Sequence, residues 1–456
     1  MEAIETRTTH DTTGILGHPS GLTTLFFTEM WERFSFYGMR TLLILYMTAP
    51  VAYGGLAFNI PKAASIYGTY TMSVYLLALP GGFIADRFLG ARYAVLLGGI
   101  IIALGHFSMI FAPLPFFYTG LTLIAIGTGL LKPNISAMVG SLYRQNDPRR
   151  DSGFSIFFMG INIGGMLASV VCSYLAQSES FKDFLAALGF NPNSSWHWGF
   201  GAAAVGMGLG LIQYLTQQDR LAQIGLREEK IISIHVETNP LTQQDWKRML
   251  AIFILFFFTI IFGTASEQVG SSLNLFADRL TRTQILSFSF PSGLFQSLTG
   301  FYVLLLAPIF SILWIRLGDR QPSTTAKFSL SLFFLGLAFL LMVPACLQAA
   351  SGKVSPLWLL GFFFLLEVGS VMLNTVGLST ITKLAPAKLV GIMMGVWFLA
   401  SAIASKTAGY FAGLFDESKP AMMAELFGFV SLLVLVSAGI LALLMPLMRR
   451  LMGGVK

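Results

Sequence analysis

Long apolar stretches recur from one end of the chain to the other and are separated by short polar segments. About a dozen of them are long enough to cross a membrane as a helix, which takes roughly 20 residues. We predict helices because a backbone in lipid must satisfy its own polar groups, and the alternation typical of membrane β-barrel strands is not seen. The predicted spans lie near residues 24–49, 60–85, 93–112, 115–138, 153–177, 198–217, 248–276, 292–316, 325–347, 355–382, 388–413 and 421–448.

The longest polar interruption falls near the middle of the chain, between Thr216 and Trp246. It separates two sets of about six spans each. We therefore predict an all-α membrane protein with an N-terminal six-helix bundle at residues 1–217, a cytoplasmic linker at 218–247 and a C-terminal six-helix bundle at 248–456. Two such bundles are typical of transporters that rock about a substrate site near the membrane midplane.

Composition supports a membrane location, since 55% of the 456 residues are hydrophobic and only 11% are charged, against about 25% charged in a soluble domain. Basic residues are concentrated in the tails and in the loops predicted to share their side, which places both termini in the cytoplasm. This bias accounts for the net charge of +7 with no need for nucleic acid. We expect an integral protein of the plasma membrane, the inner membrane in bacteria. The opposite loops hold only Lys62, Lys182, Arg279, Arg282, Lys353 and Lys419.

Ionisable residues inside the predicted spans are the most informative positions. Each costs at least about 2.5–3.5 kcal/mol at the centre of a membrane helix. Such side chains must therefore face one another, a substrate or water. They are Glu29, Glu32, Arg33, Arg40, Lys132, Glu267, Glu367 and Lys406.

The first span concentrates these charges on one helical face. At 3.6 residues per turn, Glu29, Arg33, Tyr37 and Arg40 form a stripe, and Glu32 lies three residues from Glu29. Two carboxylates beside one arginine leave a negative charge that needs a further cation or a proton. Burial beside another carboxylate favours protonation, so we predict a proton relay here.

Lys132 is a natural partner for the surplus carboxylate. It lies in the run from Gly127 to Asn134, whose glycines permit close helix packing and whose Pro133 favours a bend. The second half supplies Glu267 and Glu367, so ion pairs between the halves could form in one state and break in another. The alternative is that the charges only pin helices together.

Several of these residues fall in motifs that resemble a known family. The run GHPSGLTTLFFTEMWERFSFYGMR, residues 17–40, resembles the ExxERFxYYG motif of the proton-dependent oligopeptide transporters, a branch of the major facilitator superfamily. The resemblance extends over essentially the whole chain. Further matching runs are GGFIADR at 81–87, GTGLLKPN at 127–134, DSGFSIFFMGINIG at 151–164, TKLAP at 382–386 and MMGVWF at 393–398.

The resemblance implies a substrate site for a small peptide. Arg40 and Lys132 match residues at the peptide carboxylate, Glu367 matches the partner of the amino group, and Asn162 matches an amide that holds the peptide backbone. Side chains that resemble the pocket walls are those of Tyr37, Tyr75, Trp397 and Ser401.

The resemblance also implies proton coupling. Glu29, Glu32 and Arg33 match the coupling motif, with Lys132 and Glu267 as further members. Arg40 with Glu267, and Lys132 with Glu367, resemble ion pairs that gate the cavity. One aromatic of the family's tyrosine pair is Phe36 here, and the linker is too short for the two extra helices found in many bacterial members.

These features predict a symporter that imports di- and tripeptides with protons by alternating access, functional as a monomer in the lipid bilayer. Neither a cofactor nor a metal site is expected, and the absence of Walker, His-Glu-x-x-His and Gly-x-Ser-x-Gly motifs argues against an enzyme. One alternative is a symporter of the same family for another small metabolite or an anion. A multidrug efflux antiporter is disfavoured because the predicted cavity carries paired charges suited to a zwitterion.

Overall fold

The computed structural model describes residues 11–144, 147–226, 241–285, 288–386 and 389–453. In those ranges the chain is almost entirely helical, and twelve helices have at least 18 residues. They are α1 (Ser20–Thr48), α2 (Ile60–Ile84), α3 (Ala91–Ser108), α4 (Leu114–Ser141), α5 (Arg150–Gln177), α7 (Ser195–Thr216), α8 (Gln243–Ser266), α10 (Ser297–Leu317), α11 (Thr324–Ala349), α12 (Leu357–Leu384), α13 (Val390–Ala412) and α14 (Pro420–Leu443).

Shorter elements connect some of these helices. They are α6 (Glu179–Ala187), α9 (Ser272–Arg279) and α15 (Met445–Leu451), a two-stranded antiparallel ribbon of β1 (Gln284–Ile285) and β2 (Phe288–Ser289), and several single turns. Helix α6 was not predicted from the sequence, because the apolar-stretch pattern detects only elements of spanning length. Two predicted spans were too long: 248–276 contains the end of α8 at Ser266, the turn Glu267–Gly270 and the start of α9, and 421–448 extends past the end of α14 into α15.

The prediction of about twelve spanning helices is confirmed. Eleven helices of the described ranges are long and apolar enough to cross a membrane. The remaining long helix is α1, which carries Glu29, Glu32, Arg33 and Arg40 within its 29 residues. Its charges set it apart by composition, but most of its side chains are buried.

Helix ends follow local sequence signals. Pro19 immediately precedes α1, and Pro50 follows its end, as expected for a residue that suits a helix start but cannot continue one. Helix α8 begins with a capping box, in which Thr242 accepts from the Asp245 N–H and the Asp245 carboxylate accepts from the Thr242 N–H.

Tertiary contacts divide the described residues into two compact units. The first unit contains residues 11–57, 73–226 and 290–300, and the second contains 58–72, 241–289 and 301–453. The beginnings of α2 and α10 thus each group with helices from the other half of the sequence. The predicted bundle boundaries at 217 and 248 stay a prediction, and residues 227–240 of the predicted linker lie outside the described residues.

Within the first unit, α1 is packed closely between α5 and α7. A Cβ atom added to Gly164 of α5 would lie 2.2 Å from the backbone oxygen of Met30, and one added to Gly206 of α7 would lie 2.4 Å from the ring of Phe34. Glycine is therefore required for this approach. Most side chains of α1 are buried in this close packing.

Candidate functional site

The charged group in α1 is buried and internally paired. Glu29, Glu32 and Arg33 are 2%, 0% and 3% exposed. Arg33 forms a bidentate ion pair with Glu32: Nε donates to one carboxylate oxygen, and Nη2 donates to the other at 2.6 Å. Arg33 Nε also lies 3.3 Å from Glu29 Oε1. Arg33 thus contacts both glutamates: Glu29 at the four-residue spacing of the predicted stripe, and Glu32 as its neighbour in sequence.

The two carboxylates of this group are held differently. Both oxygens of Glu32 contact Arg33, whereas Glu29 Oε2 is buried without a hydrogen-bond partner among the described residues. Arg33, Glu32 and Lys132 are the charged side chains that act electrostatically on Glu29. A carboxylate oxygen that is buried, unpartnered and close to a second carboxylate is a suitable place for a proton.

Lys132 connects the charged group to α2. Its Nζ lies 4.6 Å from the ring centroid of Tyr75, a cation–π geometry. The glycines before it pack closely against other helices. A Cβ atom added to Gly127 would lie 2.6 Å from the backbone oxygen of Gly98, and one added to Gly129 would lie 2.8 Å from the backbone oxygen of Leu77. The prediction of close helix approach at this motif is confirmed.

The other expected substrate residues of the first unit lie on α1 and α5. Tyr37 and Arg40 are half-buried on α1, and Tyr37 packs against the backbone at Gly165. Asn162 is half-buried on α5, where its Nδ2 donates to the Phe158 carbonyl at 2.9 Å. The Asn162 carboxamide is therefore tied to its own helix, and its oxygen is the end available to accept from a substrate N–H.

The second unit holds the remaining expected residues. Glu367 is buried on α12, and Glu267 is half-buried where α8 gives way to a single helical turn. Trp397 packs edge-on against Phe256, with ring centroids 5.9 Å apart, and Ser401 Oγ donates to the Trp397 carbonyl. The roles of these residues, and the two ion pairs implied by the resemblance, stay predictions.

The sequence reasoning missed a neutral polar network at the end of α8. Gln268 is buried, donates to the Ala408 carbonyl at 3.1 Å and accepts from Ser272 Oγ at 2.6 Å. The available signal was an amide within an apolar span.

Two ionisable residues left without a role are placed differently. His106 is fully buried in α3, with both ring nitrogens unpartnered among the described residues. Lys406 is exposed on α13, and its Nζ donates to Thr69 Oγ1 at 2.7 Å. Across the described ranges, no three His, Cys, Asp or Glu side chains are grouped as metal ligands.

Comparison with known proteins gives concordant matches along the chain. A sequence model of the POT family matches residues 92–242 and 216–426. The uncharacterized transporter YclF of Bacillus subtilis strain 168 is 39% identical, over 97% of this chain and 96% of its own length. The peptide transporter YePEPT of Yersinia enterocolitica is 35% identical, over 96% of both chains.

Solved structures agree with these matches. A mutant of a peptide transporter POT in complex with alafosfalin superposes with a TM-score of 0.87, at 32% identity over 98% of both chains. A POT family transporter in complex with 5-aminolevulinic acid gives a TM-score of 0.85, at 29% identity over 97% of this chain and 99% of that one.

Proposed function

Because this chain belongs to the POT family of integral membrane transporters, we propose that it imports di- and tripeptides together with protons by alternating access. The observation that carries the proposal is the buried group of Glu29, Glu32 and Arg33. Two carboxylates share one guanidinium, and one carboxylate oxygen of Glu29 has no hydrogen-bond donor among the described residues.

Proton coupling is supported by the charge balance of this group. A proton on Glu29 removes the surplus negative charge and with it the attraction for the Lys132 ammonium. Lys132 then becomes available to the carboxylate of a peptide. In this proposal the peptide and the proton act on one lysine, which is how their movements become linked.

Peptide as the cargo is supported by the relatives, because YePEPT is named a peptide transporter and the alafosfalin-bound protein is a peptide transporter too. Arg40 and Lys132 supply positive charge for a carboxylate, and Glu367 supplies negative charge for an amino group. We place both termini in the cytoplasm and the protein in the plasma membrane, where an inward-negative potential contributes about 2.3 kcal/mol per charge per 100 mV. We expect the monomer to be the functional form.

Uptake of radiolabelled dialanine into proteoliposomes tests this function. Accumulation is expected when an inward proton gradient is imposed, and it should disappear when an ionophore collapses the gradient. Liposomes without protein are the control for leakage. Accumulation that does not depend on the proton gradient would contradict proton coupling. A lack of dialanine uptake under any gradient would contradict peptide as the cargo.

A second candidate cargo is favoured by one comparison. The 5-aminolevulinic acid complex shows that a POT family transporter can hold a small metabolite with an amino group and a carboxylate. Competition of dialanine uptake by 5-aminolevulinic acid, nitrate and free amino acids separates these cargoes. Stronger competition by one of them than by unlabelled dialanine would identify it as the preferred substrate.

A further inference from the structure

The beginning of α10 is packed against α5 through glycines. Residues 290–300 group with the first unit, whereas the rest of α10 belongs to the second. A Cβ atom added to Gly293 would lie 2.2 Å from Ser173 Oγ, and one added to Gly300 would lie 2.5 Å from the Asn162 backbone oxygen. The two segments therefore pack closely at both glycines, against a side chain of α5 at Gly293 and against its backbone at Gly300.

A single carboxamide closes the end of this contact. Gln177 is the last residue of α5, and its Nε2 donates to Ser292 Oγ at 3.0 Å while its Oε1 accepts from the Gly293 N–H at 3.1 Å. Gly293 is the second residue of the helical turn Ser292–Gln296. Its N–H has no acceptor within that turn, so Gln177, from another helix, caps the turn that leads directly into α10.

The contact lies at one end of the spanning region. Successive spans cross the membrane in opposite directions. Helix α5, the fifth span, therefore ends on the side opposite to Ser20 at the start of α1, and α10, the eighth span, begins on that same opposite side. The first part of α2 also begins on that side and packs against α13 within the second unit. There, a Cβ added to Gly68 would lie 2.9 Å from the Gly409 Cα atom.

Both helices carry a proline beyond the segment that changes partners. Pro80 follows residue 72 of α2 by eight positions, and Pro308 follows residue 300 of α10 by eight positions. Each proline lacks the N–H that would bond the carbonyl four residues earlier, which eases bending there. The first turns of α10 can thus move on a hinge near Pro308.

We propose that the Gln177 carboxamide is a gate clasp, which holds the first turns of α10 against α5 while this end of the transporter is closed and releases them when it opens. The proposal rests on the alternating access proposed above. The glycines let α5 and the beginning of α10 approach closely but do not fix their relative position along the helix axes. The two hydrogen bonds of Gln177 fix that register. Because the amide is neutral, water can replace its bonds on opening, and no proton has to move.

A thiol reporter in the contact tests the clasp without any substrate. Ser173→Cys is introduced with Cys172→Ser and Cys346→Ser, and the rate of its reaction with a methanethiosulfonate reagent is measured in lipid nanodiscs, which expose both membrane faces. Gln177→Leu is expected to raise this rate about tenfold, the effect of losing one to two hydrogen bonds. Gln177→Glu, which still accepts from Gly293 and Ser292, is expected to react close to the parent rate.

A matched control uses a glutamine at the same end of another helix. Gln348 lies one residue before the end of α11 and accepts from Trp358 Nε1 at 3.0 Å, so Gln348→Leu should leave the reporter rate unchanged. An unchanged rate in Gln177→Leu overturns the clasp. If that variant does not fold, Ser292→Ala removes one of the two bonds and should raise the rate severalfold, and no rise overturns the proposal equally.

The outcomes distinguish the clasp from the proposed function. If Gln177→Leu raises the reporter rate but the protein accumulates no dialanine, the clasp is supported and the proposed peptide cargo is contradicted. If Gln177→Leu leaves the reporter rate unchanged and proton-driven uptake is normal, the clasp is contradicted and the proposed function is supported.

Discussion

Helix α1 of the first unit and helix α8 of the second place their polar groups in opposite ways. In α1, Glu29, Glu32 and Arg33 lie inside an unbroken 29-residue helix. In α8, the spanning part is apolar, and Glu267 and Gln268 come only where the helix gives way to the turn Glu267–Gly270. Helix α1 thus buries charge in regular structure, whereas the end of α8 buries a neutral amide where regular structure stops.

The difference follows from what each group has to satisfy. Charged side chains need partners of opposite sign, and within α1 Arg33 finds them in the adjacent Glu32 and in Glu29 one turn away. A break in a helix instead leaves backbone groups unpaired, and the Gln268 carboxamide bonds the Ala408 carbonyl and the Ser272 hydroxyl beside it. We therefore expect the α1 arrangement to respond to protons and the α8 arrangement to stabilise the fold.

The largest expected effect comes from neutralising the α1 carboxylates. Glu29→Gln or Glu32→Gln should reduce proton-driven dialanine accumulation to the level of empty liposomes but spare counterflow exchange, because each variant leaves one balanced ion pair and no site for a transported proton. Uptake with an imposed gradient and counterflow without one are the two measurements. Glu179→Gln, which alters a surface pair with Lys182, is the control.

The two α1 variants should differ in stability. Glu32 accepts two contacts from Arg33 and Glu29 accepts one, so Glu32→Gln should lower the free energy of unfolding by about 1.5–3 kcal/mol more. Thermal unfolding in detergent reports this difference. Concentrative uptake at the parent rate by both variants would remove the coupling role from α1.

A smaller effect is expected from the buried carboxylate of the second unit. Glu367→Ala should weaken binding of dialanine by about 2 kcal/mol, roughly 30-fold, because the peptide amino group loses its charge partner. Binding of N-acetylated dialanine, which has no amino group to pair, should change little. Glu425→Ala, at an exposed position of α14, is the matched control, and equal affinity of Glu367→Ala and parent for dialanine would contradict the assignment.

The neutral network should affect stability without affecting coupling. Gln268→Leu leaves the Ala408 carbonyl and the Ser272 hydroxyl without this partner, which costs about 1–3 kcal/mol in the free energy of unfolding. The proton dependence of uptake by the folded fraction should be unchanged. A shifted pH profile of uptake in this variant would contradict the view that α1 couples to protons while the network at the end of α8 only stabilises the fold.

The smallest expected effect is at the entry to α1. Asp11 accepts from Ser20 N and Oγ at 2.8 and 2.7 Å. Burial raises the pKa of Asp11, but hydrogen bonds from Thr13 and Ser20 outweigh it and lower the pKa to about 2. The carboxylate therefore stabilises the fold above about pH 4, its range when unfolded, and this stabilisation is lost as the pH falls toward 2.

Asp11→Ala should accordingly cost about 1 kcal/mol at pH 7, and the difference from the parent should shrink below pH 4. Unfolding followed across that range measures it. Helix α8 is capped locally by Thr242 and Asp245, so Asp245→Ala offers a comparison of a local cap with one nine residues away. A difference for Asp11→Ala that grows with acidity would contradict the sign of this pKa shift.

Much of the fold was predictable because the bilayer restricts the chain to a simple pattern. Each predicted span contains one long helix, although the span at 248–276 also runs through the break after Ser266. The α1 stripe corresponds to the observed contact of Arg33 with Glu29. The short helix α6, the Gln268 network and the Gln177 carboxamide were not predicted. Their polar residues are neutral or lie at helix ends, where a single sequence distinguishes a buried hydrogen bond poorly from an exposed one.

The sequence by itself determined where the long helices lie, which residues of α1 share a face, and that its charges leave one carboxylate in excess, since these depend on local period and on composition. Only the tertiary structure decided which carboxylate of α1 is held at both oxygens and which keeps one unpartnered. It also decided that the first turns of α10 pack against α5. The contact between α5 and the beginning of α10 depends on the close approach of segments more than 100 residues apart in sequence, which helical period does not encode.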